Sequence, residues 1–216
     1  MNVRNNIEAI QNQLLGKNCR LIAVSKTHAV ERVQEAYDAG QRIFGENKVQ
    51  ELIAKQAVLP KDIEWHMIGH LQTNKARLVA PVVSVIHSVD STYAAAELGK
   101  RAAKLGRSVR VLIEVNVAKD AAKTGCSPSE LAAVMEAVQA SPALELRGLM
   151  TMPPYSEDPA KARPFFAGLR ALQTLHGGAP TLPELSMGMS HDLEVAIAEG
   201  ATIVRVGTAL FGERPS

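Results

Sequence analysis

The chain has 216 residues, with 24 Lys and Arg against 22 Asp and Glu and a formal net charge of +2. A balance this near neutrality gives no electrostatic basis for gripping nucleic acid or an anionic membrane surface, and aromatic residues at 4 % leave few rings on which bases stack. A hydrophobic fraction of 46 % with 21 % charged residues excludes wholesale disorder. Cys19 and Cys126 are too few for a disulfide framework. No stretch approaches the ~20 apolar residues of a membrane span, and the polar N-terminal segment has no secretory-signal core. The expected compartment is the cytoplasm, with both thiols reduced.

In chain order, Val3, Ile7, Ile10, Leu14 and Leu15 recur at helical spacing and predict a leading amphipathic helix over 3–15. RLIAVSK (20–26) is a short β-branched apolar run that reads as a buried strand. A helix follows and stops at Gly40. The alternation then repeats. Strands are predicted at 41–47, 63–70, 82–90, 109–117, 144–152, 183–189 and 202–207. Helices are predicted at 46–57, 72–79, 91–105, 127–140, 158–175 and 190–199, with a last turn at TALFG. The helix at 127–140 opens on Ser127-Pro128, read as an N-cap followed by Pro at N1, and the one at 190–199 opens on Ser190.

Eight strands, each followed by a helical segment, imply a parallel α/β sheet. The short repeat favours a closed (β/α)8 TIM barrel with an extra N-terminal helix over an open doubly wound sheet. No composition break marks a linker, so the expectation is one barrel domain over 1–216, preceded by the leading helix at 1–18.

In such a barrel the site lies at the C-terminal ends of the strands. Lys26 ends the first strand, where desolvation lowers an amine's pKa and sharpens it as a nucleophile toward a carbonyl. The bland alternative is a lysine that snorkels to solvent. The loops after strands seven and eight, SMGMS (186–190) and RVGTALFG (205–212), bring Gly, Ser and Thr to helix N-termini. These are the residue types and the place for a phosphate, though an ordinary strand–helix turn has the same composition. Arg205 lies between Val204 and Val206, and alternation with Ile203 and Gly207 turns it inward. It needs an acceptor, which a ring nitrogen, a ligand carboxylate or Glu114 would each supply. Glu114 and Asn116 share a face of the fifth strand. His66 and His70 lack the companion Glu of a zinc-protease helix, and no metal site is expected.

AVSKT (23–27), FGEN-VQE (44–47 and 49–51), WH-IG-LQTNK (65–75), RGLM (147–150), LSMGMS-D-E-AI (185–197) and VR-GTA-FG (204–212) occur together in order. In this the chain closely resembles the pyridoxal phosphate homeostasis protein family, which includes the bacterial YggS proteins. The resemblance implies a barrel similar to the N-terminal domain of alanine racemase, with pyridoxal 5′-phosphate held as a Schiff base on Lys26. It implies phosphate contacts from Ser190, Gly207 and Thr208, Arg205 near the pyridine nitrogen, and Asn47 near the cofactor. Lys48 stands where an aromatic residue is usual.

The resemblance implies a non-catalytic cofactor carrier, with apo-enzymes as possible acceptors, and the lack of a long apolar surface stripe points to a monomer. The alternative is a pyridoxal-phosphate-dependent amino-acid racemase. Racemisation needs a base on each face of the substrate carbanion. Lys26 supplies one, and of Tyr37, Tyr93 and Tyr155 only the last lies in a loop above the strands. A third reading makes Lys26 the imine-forming lysine of a sugar-phosphate enzyme.

Overall fold

A computed structural model describes residues 2–213. Eight parallel strands close into a barrel in sequence order: β1 (Arg20–Val24), β2 (Ile43–Glu46), β3 (Glu64–Met67), β4 (Val85–Val89), β5 (Val109–Glu114), β6 (Leu144–Met150), β7 (Glu184–Ser186) and β8 (Ile203–Val206). Closure pairs β1 with β8, setting Leu21 opposite Val204 and Ile22 opposite Arg205. The strands are apolar on both faces because each is covered twice. Leu21 and Ala23 pack outward with the helices, whereas Ile22, Val85, Leu112, Met150 and Ile203 form a separate inner cluster joined by Ile43. The inner cluster shares the barrel interior with buried polar side chains, among them His66, His87, Ser186 and Arg205. Each aliphatic side chain of the cluster contributes about 1.5–3 kcal/mol by its burial.

The outer ring comprises α1 (Val3–Leu14), α2 (Val30–Asp38), α3 (Val49–Val58), α4 (Ala76–Val79), α5 (Thr92–Lys104), α6 (Leu131–Gln139), α7 (Arg163–Leu175), α8 (Gly178–Thr181), α9 (Leu193–Ala198) and α10 (Thr208–Phe211). Val3, Ile7, Ile10 and Leu14 form the buried stripe of α1, and Asn2 caps it by accepting from the Asn5 N–H at 3.4 Å. Asn6 Nδ2 donates to Leu210 O at 2.9 Å, so the leading helix braces α10 directly after β8. Among the described residues, no helix is long and apolar enough to cross a membrane.

Three local expectations are corrected. Leu15 does not join the apolar stripe: it follows the end of α1 and is exposed. Ser127-Pro128 does not start a helix. The Ser127 N–H and Oγ both donate to Glu130 Oε2, at 2.8 and 2.7 Å, closing a turn that delays α6 to Leu131. Ser190 likewise precedes its helix by a turn. Asp192 accepts from the Met189 N–H at 2.6 Å, and α9 begins at Leu193. In each of the two turns, a short-range side-chain bond to the backbone wins over helix propagation. The segments at 72–79 and 158–175 open as 3-10 turns, Thr73–Lys75 and Pro159–Ala162, before becoming α-helical.

Candidate functional site

The C-terminal ends of the strands open into a cavity of about 390 Å³ lined by Val24, Lys26, Asn47, Ile68, Met152, Tyr155, Met189, Ser190, His191, Arg205, Gly207 and Thr208. That volume is within the range of small-molecule sites. All six residues singled out from the sequence, Lys26, Asn47, Ser190, Arg205, Gly207 and Thr208, line this one cavity. They arrive from β1, β2, the turn after β7, and β8 with its following turn.

Lys26 is delivered by a stiff segment. Ser25 Oγ donates to Glu46 Oε1 at 2.7 Å, and Lys55 Nζ donates to Ser25 O at 2.6 Å and to Glu46 Oε1 at 2.7 Å. On the other side the Thr27 N–H donates to Glu51 Oε1 at 2.6 Å, and Thr27 takes φ +67°. A β-branched residue in the left-handed region costs of order 1–3 kcal/mol, so this turn persists only because its surroundings hold it. Lys55 bonds both carboxylates, with Glu51 at 2.8 Å, and thereby ties the turn after β1 to α3. Burial raises the Glu46 carboxyl above its ordinary value, against the opposing pull of Lys55. Asn47 directly follows Glu46, so the same cluster fixes both Lys26 and Asn47.

Arg205 projects into the barrel from β8 and is 4 % exposed. It does not pair with Glu114. Its Nη1 donates to Ser186 Oγ at 2.6 Å and its Nη2 to Thr151 O at 3.1 Å. Burial draws it down to about 10, opposed by Glu114 and Asp192 at longer range, so it stays cationic at neutral pH. Glu114 instead accepts from Thr124 Oγ1 at 2.7 Å, and Asn116 holds the following loop through Asp120 O at 2.8 Å. Glu114 ends β5 and Asn116 lies beyond it, so they do not share a strand face as the alternation suggested; both serve the following loop and stay out of the cavity lining. His66 lies inside the barrel, and His70 lies outside at 3.2 Å from Asp90.

The turns after β7 and β8 meet at Ser190, whose Oγ accepts from the Ala209 N–H at 3.3 Å. Gly188, at φ +92°, makes the turn after β7, and a Cβ there would lie 2.4 Å from Ala196 Cβ. Thr208 starts α10 next to them, where the first N–H groups have no intrahelical acceptor. The cavity therefore offers hydroxyls and backbone N–H groups at one end, a buried guanidinium within, and an amine at another strand end. None of its lining side chains is a carboxylate.

Tyr155, which the sequence offers only as the second base of a racemase, forms much of the wall together with Met152, Met189, His191 and Ile68, which the sequence does not assign to the site. Tyr155 is 82 % exposed and its ring centroid lies 5.9 Å from that of His191. Its position in a loop above the sixth strand is the only sequence signal that points to it.

The family described as alanine racemase, N-terminal domain, matches residues 1–215. A pyridoxal phosphate homeostasis protein of Aquifex aeolicus is 48 % identical over 203 residues, covering 92 % of this chain and 89 % of that protein. Its Escherichia coli namesake is 43 % identical over 203 residues, covering 90 % and 85 %. PipY of Synechococcus elongatus, solved with PLP bound, superposes with a TM-score of 0.87 at 43 % identity, covering 97 % of this chain and all of that one (100 %). An alanine racemase of Clostridium difficile shares the fold, with a TM-score of 0.79 at 18 % identity over 57 % of its chain. The chain belongs to the family of pyridoxal phosphate homeostasis proteins, built on the barrel of the alanine racemase N-terminal domain.

Proposed function

We propose that this protein binds pyridoxal 5′-phosphate in the cavity at the strand ends and serves intracellular handling of that cofactor without turning over a substrate. The observation that carries this reading is the convergence of an amine, a buried guanidinium and a two-turn hydroxyl and N–H cradle in one cavity. Those are the partners for an aldehyde, a pyridine nitrogen and a phosphate. The chemistry the cofactor brings is a reactive aldehyde on an electron-accepting ring. Lys26 condenses with that aldehyde and releases water, which makes the attachment covalent and reversible. Ser190, Gly207 and Thr208 take the phosphate, and Asn47 borders the same space. Arg205, a permanent cation bonded to two neutral acceptors, faces the ring nitrogen and disfavours its protonation, which weakens the ring as an electron sink. The names of the relatives and the PLP-bound neighbour support the ligand.

A carrier must release what it holds. The highly exposed Tyr155 at the rim supports an accessible site, from which cofactor passes to apo-enzymes or to free amines. The test is to load the protein, add an amine or an apo-enzyme that needs the cofactor, and follow the loss of absorbance at the protein. Transfer within minutes is expected, and a load that stays inaccessible would end the carrier reading. One observation favours a second reading. Tyr155 is the lone tyrosine among the lining residues, and with Lys26 it offers the two bases a racemase needs. Deuterium incorporation at Cα of added amino acids, lost in Tyr155→Phe, would establish that enzyme and displace the carrier.

A further inference from the structure

Below the cavity, four buried or half-buried side chains continue from Arg205 down through the barrel. Ser186 Oγ lies 2.9 Å from His87 Nδ1, His87 Nε2 lies 2.8 Å from His66 Nδ1, and His66 Nε2 lies 3.2 Å from Glu64 Oε1. Arg110 Nη2 closes the series with a 2.6 Å bond to the same Glu64 oxygen. Ser186 comes from β7, His87 from β4, and His66 and Glu64 from alternate positions of β3, so the series crosses the barrel interior from Arg205 on β8.

The direction of the chain follows from its lower end. The bonds from His66 and Arg110 hold the Glu64 carboxyl below its ordinary value, so Glu64 only accepts. His66 therefore carries a proton on Nε2. Burial lowers both histidines below their ordinary value and keeps them neutral, which leaves His66 Nδ1 as an acceptor. His87 must then donate through Nε2, and its Nδ1 must accept from the Ser186 hydroxyl. The hydroxyl proton is thereby committed downward, and Ser186 turns only lone pairs toward Arg205.

We propose that Ser186, His87 and His66 are positioning residues for Arg205: a one-way hydrogen-bond chain anchored on Glu64 that holds the guanidinium in the orientation it presents to the cavity. The proposal rests on the reading of the cavity as a pyridoxal phosphate site, since that is where Arg205 meets a ring nitrogen. The chain leaves Arg205 no carboxylate to pair with and no donor to oppose it. The guanidinium is hydrogen-bonded by neutral acceptors, while Glu114 and Asp192 favour its charge only at longer range.

The first test needs no cofactor. Histidine-selective 15N spectra of the unloaded protein at neutral pH are expected to show His66 and His87 neutral and protonated on Nε2. A proton on Nδ1 of either ring would overturn the direction. Ser186→Ala is expected to shift the His87 signals and to broaden the Arg205 Nε–H resonance, and Ser186→Thr is expected to restore both. Unchanged Arg205 resonances in Ser186→Ala would overturn the positioning role. With cofactor, Ser186→Ala is expected to weaken binding of pyridoxal 5′-phosphate about tenfold and Ser186→Thr to recover it. A merely structural serine would alter Tm without that recovery. Failure of the wild-type protein to bind the cofactor would overturn the proposed ligand, while the chain would still stand or fall on the 15N spectra.

Discussion

The two ends of the barrel use charge differently. At the N-terminal end of the strands, acids and bases meet each other. Arg20 lies 2.6 Å from Glu184, Arg147 lies 3.0 Å from Glu145 and 3.9 Å from Glu184, and Arg110 lies 2.6 Å from Glu64. At the C-terminal end the Lys55–Glu46–Glu51 cluster lies beneath the Lys26 turn, but within the cavity Arg205 is bonded to a hydroxyl and a carbonyl, and no lining side chain is a carboxylate. Charge that is cancelled locally holds strands in register. Charge held by neutral partners keeps its field for a ligand, and an anion is what that field attracts. The difference separates the stabilising end of the fold from the binding end.

The separation predicts that substitutions at the mouth change binding at little cost in stability, and those at the base do the reverse. The largest effect is expected from Ser190→Ala with Thr208→Val. Losing two hydrogen bonds to a charged group should weaken pyridoxal 5′-phosphate binding about 100-fold. Pyridoxal, which has no phosphate, should bind as to the wild type, and Tm should hold. Equal losses for both ligands in a titration would contradict the assignment of this end to phosphate.

Acid should act next, through the interior that joins the two ends. His66 and His87 are held below the ordinary histidine value of 6.5, so the unfolded chain binds protons that the folded one refuses. Stability should fall as pH drops through and below about 6.5, by up to about 1.4 kcal/mol per pH unit for each ring. Glu64, held at about 2 against an ordinary 4.5, adds stability that is present above that ordinary value and lost as pH falls toward 2. Urea unfolding between pH 8 and pH 5 measures the histidine part, and a flat profile would show that the fold leaves the proton affinity of the rings unshifted. Glu184→Ala should cost about 1–2 kcal/mol, discounted for the partial exposure of Arg20, and leave cofactor affinity within about twofold. Glu145→Ala removes only an exposed partner of Arg147 and should cost less than about 0.5 kcal/mol by the same unfolding assay.

Much of this was legible in the sequence. Runs such as LIAV and VLI are apolar without alternation, because each parallel strand is buried on both faces, and their spacing counts out the barrel. Lys26 and Arg205 stand out for the same reason, as cations set at the end and in the middle of apolar runs. What stayed hidden depends on long-range contact. His66 and His87 are 21 residues apart and Ser186 lies 99 beyond His87, so no local pattern predicts that they touch. Lys55 reads as an ordinary helix lysine but is buried between Glu46 and Glu51 beneath the Lys26 turn. The strain at Thr27 has no sequence signature either, since threonine is a poor choice for a positive φ. Ser127 and Ser190 mislead in the opposite sense. Both sit where an N-cap belongs, but the Ser127–Glu130 bonds in one turn and the Met189–Asp192 bond in the other displace the helix start, and the Ser190 hydroxyl turns instead to Ala209.

The most direct test of the account is at Lys26. The protein is incubated with pyridoxal 5′-phosphate, reduced with borohydride and digested, and the modified peptide is located by mass. A pyridoxyl group on Lys26, absent from Lys26→Ala, is the predicted result. A protein left unmodified, or modified equally in Lys26→Ala, would contradict the assignment of this cavity to the cofactor.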